Sequence, residues 1–281
     1  MKNFSFGVYI ISTPIGNLDD ISQRAIDTLS NVDIIVCENP KHSLKLLNKF
    51  GIKKKLISLH DYNENKIIET ISDKLSTKSI ALISDAGSPM LSDPGYKFIK
   101  YCINNNVNIT SLPGANSLIP ALQLSGITMN QFSFLGFFPK NKKQMLEFFG
   151  RISKIKETSV FFVSNHKLRE CLDLLESHIK NRKISISKEL TKINERIFRG
   201  VSDQIKHKIA EQDKNFKGEF VVVVEGNNKE ETKRLNLHNY NKEINILLSK
   251  FSLTDVVEIV HKLTGITKNK VYKWVLELKK L

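Results

Sequence analysis

No segment of this chain is apolar over the ~18 residues that a membrane-spanning helix requires, so none reads as a membrane span. The short run Val8–Ser12 is soon broken by Pro14 and Gly16, and a secretory signal is not expected. Cysteine is scarce. Cys37, Cys102 and Cys171 lie far apart without Cys-x-x-Cys spacing, which argues against a disulfide framework and against a zinc or iron–sulfur site. Reduced, partly buried thiols in a cytoplasmic protein that uses no metal are the expectation. Acidic residues are also in deficit, 29 Asp and Glu against 43 Lys and Arg, leaving a formal charge of +14. That excess favours a polyanionic partner, nucleic acid first and an acidic membrane surface second. The plain alternative is a compositional bias toward Lys, Asn and Ile, which the predominance of lysine over arginine suits.

What is present is enough apolar residue, 41% of 281, to bury a substantial core. Short β-rich runs at Val8–Ser12, Val32–Cys37, Leu56–His60, Ile80–Ser84 and Asn108–Leu112 alternate with helical spacing over 20–29, 43–50, 64–75 and 94–104. This order predicts a mostly parallel sheet covered on both faces. Asp19 or Asp20 reads as a helix start, and Asp93-Pro94 as N-cap and first helical position of the next. A second α/β unit follows. Its strands are expected at 132–137, 158–163, 184–187 and 219–224, and its helices at 120–125, 142–155, 166–178 and 202–211. Residues 1–113 and 114–226 thus read as two α/β domains with mixed sheets and a cleft between them. A polar linker is expected at 227–240 and a helical appendage at 241–281, with two helices about Thr264–Thr267. Trp274, Val271 and Leu278 read as packing within that appendage.

Three loops stand out: Ser12-Thr13-Pro14-Ile15-Gly16-Asn17-Leu18, Ser84-Asp85-Ala86-Gly87-Ser88-Pro89 and Leu112-Pro113-Gly114-Ala115-Asn116-Ser117. Each follows a strand-like run and leads into a helical one. Small residues let backbone approach a ligand, prolines set the turns, and ligands of open α/β sheets sit beyond the strands' carboxyl ends. One shared crevice is therefore predicted.

These loops carry a resemblance. Ser12–Leu18, Leu46–Gly51, Ser58–His60 with Asn63-Glu64, and the run Ser84–Gly95 (SDAGSPMLSDPG) are similar to the 16S rRNA (cytidine-2′-O)-methyltransferases of the tetrapyrrole methylase superfamily. Pro113-Gly114, Phe134–Pro139, Lys188–Lys192 and Lys217–Phe220 continue the match in order. The resemblance implies a two-domain tetrapyrrole-methylase-like α/β fold and S-adenosylmethionine as methyl donor. It also implies a homodimer and 2′-O-methylation of a decoding-centre cytidine, position 1402 in the family's rRNA numbering. Three departures stand out. Glu38-Asn39-Pro40-Lys41 replaces the usual Glu-Asp-Thr-Arg, Ala115-Asn116-Ser117 follows Pro113-Gly114 where Pro-Ser is usual, and Phe162-Val163-Ser164-Asn165 replaces Tyr-Glu-Ser-Pro. They motivate an alternative, a ribosomal RNA-binding protein with impaired catalysis; a precorrin methyltransferase is a second alternative.

For donor binding the residues singled out are Pro14, Ser84, Asp85, Ser88, Ala115 and Asn116, with Asp85 first and a turn cap as its competing role. Removing a proton from a ribose hydroxyl, a very weak acid, needs a base or desolvation. Glu38, His60, Glu189 and Lys192 are the catalytic candidates, with His42 and Asn63 behind them. His60 can equally be a strand-end histidine bonded to backbone, and Glu189 with Lys192 a surface ion pair. Lys140, Lys142, Lys143 and Arg151, after the aromatic Phe137-Phe138, are the candidate contacts to phosphates of 16S rRNA or the 30S subunit. The tail lysines Lys268, Lys270, Lys273, Lys279 and Lys280 are further candidates.

Overall fold

The structure, a computed structural model, describes residues 5–212, 217–227 and 240–279. Of the segment read as a linker, 228–239 lie outside the described residues, as do Lys280 and the side chain of Lys279. The chain forms two compact units, Met1–Asn227 and Asn228–Leu281.

The larger unit begins with β1 (Gly7–Ile11), β2 (Ile34–Cys37), β3 (Lys55–Ser58), β4 (Ser79–Ile83) and β5 (Ile109–Leu112), a wholly parallel sheet ordered β3-β2-β4-β1-β5. Every residue of β2 and β4 is buried, as a sheet covered on both faces demands. Helices α1 (Gln23–Asn31) and α2 (Pro40–Lys49) cover one face through Ala25, Leu29 and Leu47. Helices α3 (Glu64–Ile71) and α4 (Tyr96–Asn104) cover the other through Ile71, Phe98 and Cys102. The chain leaves β1 over the first face and β4 over the second. The topological switch point therefore lies between these adjacent strands, where a ligand crevice is expected.

Two helix starts differ from expectation. Asp19 and Asp20 lie in a 3-10 turn capped by Asn17, and α1 opens after Ser22, whose hydroxyl accepts the Ala25 amide at 3.1 Å. Helix α4 opens after Gly95 rather than at Pro94, so Asp93 is not its cap. The cap comes from another helix: the Glu64 carboxylate, buried on α3, accepts the Phe98 amide at 3.1 Å. A carboxylate from a neighbour satisfies an orphan first-turn amide as well as a local one, and it leaves Asp93 free to face elsewhere.

After α5 (Leu118–Ser125) the unit continues with β6 (Phe132–Phe137), α6 (Lys142–Ile152), β7 (Thr158–Ser164), α7 (Leu168–His178), β8 (Ile184–Lys188), β9 (Arg196–Gly200), α8 (Ser202–Gln212) and β10 (Glu219–Val224). These strands form a mixed sheet ordered β6-β7-β10-β8-β9, parallel only between β6 and β7. Strand β9 was not expected. As an edge strand it buries only Phe198 among its five residues, too little apolar pattern to read. Helices α6, α7 and α8 pack on one face against Phe161, Ile186 and Val222. On the other face α5 covers Val160, Val221 and Val223, joined there by Ile15 and Leu91 from the loops after β1 and β4.

The smaller unit has three helices rather than two among its described residues: α9 (Asn241–Leu248), α10 (Leu253–Thr264) and α11 (Lys268–Lys279). Val256, Val260, Val271, Trp274 and Val275 form its core with Ile244, so Trp274 packs rather than projects.

Glu64→Ala should lower the unfolding free energy by about 1–3 kcal/mol, the cost of an unsatisfied buried amide, in urea denaturation. Glu64→Gln, which keeps an acceptor, should recover part of that loss.

Candidate active site

The three loops are knitted together over the switch point. The Thr13 amide donates to the Gly87 carbonyl at 2.8 Å and the Gly87 amide returns a bond to the Thr13 carbonyl at 2.9 Å. The buried Thr13 hydroxyl donates to the Ser84 carbonyl, and the Ser84 hydroxyl to the Gly87 carbonyl, both at 3.1 Å. The third loop closes in at Gly114, where a Cβ would stand 2.8 Å from that of Ser12. The first loop also meets the second sheet. A Cβ on Gly16 would lie 2.4 Å from Lys192 Cγ, and the Asn17 amide donates to the Thr191 hydroxyl at 3.2 Å. Only glycine permits these two approaches.

Between these loops and the face of the second sheet that α5 leaves open lies a cavity of about 590 Å³. Glu38, Asp85 and Asp93 line its first-sheet side, and Phe137, Phe162, Leu190 and Val221 its second-sheet side. A register shift in β6 between Phe134 and Phe137 re-aims Phe137 at this space, and Phe137 packs edge-on against Phe162 with centroids 5.2 Å apart. Ser187, on β8, contributes a hydroxyl that is buried, lacks a hydrogen-bond partner among the described residues and lies on the cavity wall.

The carboxylates share one electrostatic environment. Burial, then the neighbouring charge of Glu38, pushes the Asp93 carboxyl up to about 6. Burial and the Asp85 charge likewise raise Glu38. Asp85 accepts the Asn39 amide at 3.2 Å, and its second oxygen lies 3.9 Å from His42 Nδ1. Like charges held together in a partly dry space resist ionising together.

Of the donor-binding candidates, Asp85, Ser88 and Asn116 line the large cavity. Pro14 and Ser84 line a smaller neighbouring pocket together with Asp85, and Ala115 lines neither. The Asn116 side chain also accepts the Ile119 amide at 3.0 Å, capping the first turn of α5. Among the catalytic candidates only Glu38 faces the cavity. His60 is exposed beyond the end of β3, its amide bonded to Asn63 Oδ1 at 2.8 Å.

Glu189 and Lys192 are bonded to each other at 3.1 Å, and both hold Glu219: Lys192 through its carboxylate at 3.1 Å, Glu189 through its amide at 2.8 Å. Burial works to raise the Glu189 carboxyl, but the Glu219 amide and the Lys192 ammonium outweigh it and hold it below the usual range. The pair braces a loop in which Glu189 and Thr191 both adopt positive φ, and the cavity lies next door, against Leu190 and Glu219.

Lys140, Lys142 and Lys143 are exposed and follow directly on the cavity-lining Phe137, around the start of α6. Arg151, also exposed, sits in the last turn of that helix, ~13 Å from Lys142 at 1.5 Å per residue. Lys268, Lys270 and Lys273 are exposed on α11.

Asp93 and Ser187 are the residues that sequence reading missed. Asp93 next to proline imitates a helix cap. Ser187 had a signal, since Ile184-Ser185-Ile186-Ser187 puts the apolar residues on one face and small hydroxyls on the other. One departure from the family's usual residues keeps a local role: Asn39 caps α2 through Oδ1 as an aspartate would, accepting the Lys41 amide at 3.1 Å.

The sequence profile described as Tetrapyrrole (Corrin/Porphyrin) Methylases matches residues 7–206. The chain is 39% identical over 272 residues to the ribosomal RNA small subunit methyltransferase I of Vibrio cholerae, covering 96% of this chain and 94% of that protein. It is 37% identical to the protein of the same name from Buchnera aphidicola subsp. Acyrthosiphon pisum, over 99% of both chains. In fold it is similar to the crystal structure of diphthine synthase, with a TM-score of 0.58 and 13% identity over 78% of this chain and 89% of that one. Near-complete coverage at more than a third identity, on a fold whose loops converge where a methylase needs them, makes this chain a methyltransferase that belongs to the ribosomal RNA small subunit methyltransferase I family.

Proposed function

We propose that this chain transfers a methyl group from S-adenosylmethionine to the ribose 2′-oxygen of a decoding-centre cytidine in 16S rRNA, cytidine 1402 in the family's numbering. The observation that carries the reading is the meeting of Glu38, Asp85 and Asp93 with Phe137 and Phe162 in one cavity at the switch point of a chain with charge +14. We take residues 1–113 and 114–226 as the two α/β domains flanking the donor, and 241–281 as an appendage. The active form in this reading is a homodimer in the cytoplasm, a reducing compartment that suits three free, buried cysteines.

The cavity fits the donor chemically. Its apolar and aromatic side suits an adenine, the unpartnered Ser187 hydroxyl suits a polar edge, and the acidic side suits a cation. S-adenosylmethionine, when bound, supplies a methyl group activated on a sulfonium for in-line displacement. Phe137 and Phe162 hold the heterocycle, while Ile15, Leu91 and Leu190 keep bulk water from the reacting side. Asp85, oriented by the Asn39 amide, fixes the polar groups of the donor. The acceptor's hydroxyl proton passes to Asp93 Oδ, with Glu38 beside it as the charge that tunes it. An acceptor carboxylate near the working pH combines ionisation with basicity. Outside the cavity Lys140, Lys142, Lys143 and Arg151 hold phosphates, which contributes affinity without sequence preference.

The purified protein with labelled donor should methylate 30S particles or naked 16S rRNA, and mass mapping should place the group on one cytidine ribose. Donor binding with incorporation into neither RNA would remove the proposal, and incorporation into a precorrin instead would reassign the substrate.

The pH profile should show Asp93. It is ionised above about 6 and protonated below, so kcat at saturating donor should fall about tenfold per unit below that pH. Asp93→Asn should abolish this limb and cost ~10²–10⁴-fold in rate.

Ser187→Ala should act with opposite signs on two measurements. Removing a buried hydroxyl without a partner should raise the melting temperature of the ligand-free protein. Calorimetry should show S-adenosylmethionine bound about three- to tenfold more weakly, as loss of one hydrogen bond predicts.

A further inference from the structure

A second pocket, about 240 Å³, opens on the far side of Asp85, between the loop after β1, the first half of α2 and the end of β4. Asp85 is the residue it shares with the large cavity, so an occupant of one lies beside an occupant of the other. At ~30 Å³ per water its volume equals roughly eight waters, room for a single small heterocycle with its sugar.

Its walls are of two kinds. Pro14, Leu18, Leu46 and Ile83 present apolar surface, and Leu18 is 39% exposed rather than used in the core. The hydroxyls of Thr13 and Ser84 are committed as donors to backbone carbonyls of the loop knot. The groups left to meet a ligand are the His42 imidazole, the Lys45 ammonium, the Asp85 carboxylate and the buried Ser43 hydroxyl, which is unpartnered among the described residues. Lys45 is exposed and has no ion-pair or hydrogen-bond partner among the described residues. An apolar slot with a cation at its rim and a carboxylate toward the donor matches one nucleotide: ring in the slot, phosphate at Lys45, ribose toward Asp85. The donor's large cavity has no such cation among its lining residues.

We propose that this pocket receives the acceptor nucleotide of the RNA, a pyrimidine turned out of its strand, and so sets which ribose is presented to the donor. The inference rests on the function proposed above and adds to it a subsite. Enzymes that do chemistry on a base extrude it into a fitted pocket, and single-stranded RNA segments, whose bases can be splayed out, allow the same seating for an enzyme acting at the sugar. The neighbouring His42 ring, 55% exposed and 3.9 Å from Asp85, stands where it can close over an inserted base.

The test uses the full chain and two variants. Leu46→Trp fills the slot; Lys45→Ala removes an exposed cation and leaves the fold untouched. The RNA carries pyrrolo-cytidine, whose emission rises on unstacking, at the position mapped as the wild-type target. Wild type should raise that emission on binding without donor. Leu46→Trp should abolish the rise and lower kcat/KM for RNA at least tenfold, and Lys45→Ala should lower kcat/KM about three- to tenfold. For both, the S-adenosylmethionine Kd should stay within twofold and the melting temperature of Leu46→Trp should confirm folding. A folded Leu46→Trp that keeps the wild-type emission rise and kcat/KM would overturn the proposal, as would an unchanged kcat/KM in Lys45→Ala or a donor Kd rising in parallel with the loss. Failure of the underlying function shows separately, as no RNA methylation by the unsubstituted protein.

Discussion

The reciprocal pair of backbone hydrogen bonds between Thr13 and Gly87 ties the loop after β1 to the loop after β4 across the point where the sheet's connections diverge. Neighbouring parallel strands whose helices leave over opposite faces have no covering element at their carboxyl ends, and the loops there must be held by something other than a helix. The Thr13 and Ser84 hydroxyls meet that need by bonding inward to carbonyls of the same knot. Asp85 and Gly87 thereby stand at fixed positions on the cavity wall. The wide cavity and the smaller pocket both take their shape from this knot, because Asp85 belongs to both.

Charge is distributed in a way that net charge conceals. A chain at +14 gathers Glu38, Asp85 and Asp93 into one half-dry space and leaves its lysines exposed around the start of α6 and on α11. The two fields suit different ligands. An acidic interior suits a cationic sulfonium and punishes the approach of a phosphate, while a basic exterior suits an RNA backbone. Lys142 and Lys143 sit in the first turn of α6, where the helix dipole disfavours cations. That arrangement costs the helix a little and concentrates positive potential beside the cavity rim.

Much of the fold was legible because its signals are local. Parallel strands buried on both faces read as continuous apolar runs, so β1, β2 and β4 fell within a residue or two of expectation. The edge strand β9 and the helix α9 did not show, since each buries a single residue and leaves no periodic pattern to read. At the site, Asp85, Ser88 and Asn116 were legible as residues of glycine- and proline-marked loops, and Glu38 as a strand-end carboxylate.

The amino-acid sequence by itself determined that strands alternate with helices, that small-residue loops gather at the carboxyl ends of the first sheet, and that the outside is basic. Each of these follows from composition or from spacing within some ten residues. Tertiary structure alone decided what Asp93 and Ser187 do. Asp93 is freed from capping because Glu64, some thirty residues earlier in the chain, takes the Phe98 amide, and its carboxyl is raised because folding buries it beside Glu38. Ser187 faces the cavity because β8 pairs with β10 in the register that sets it opposite Val221. Desolvation and strand register are properties of contacts between distant segments, and local spacing does not encode them.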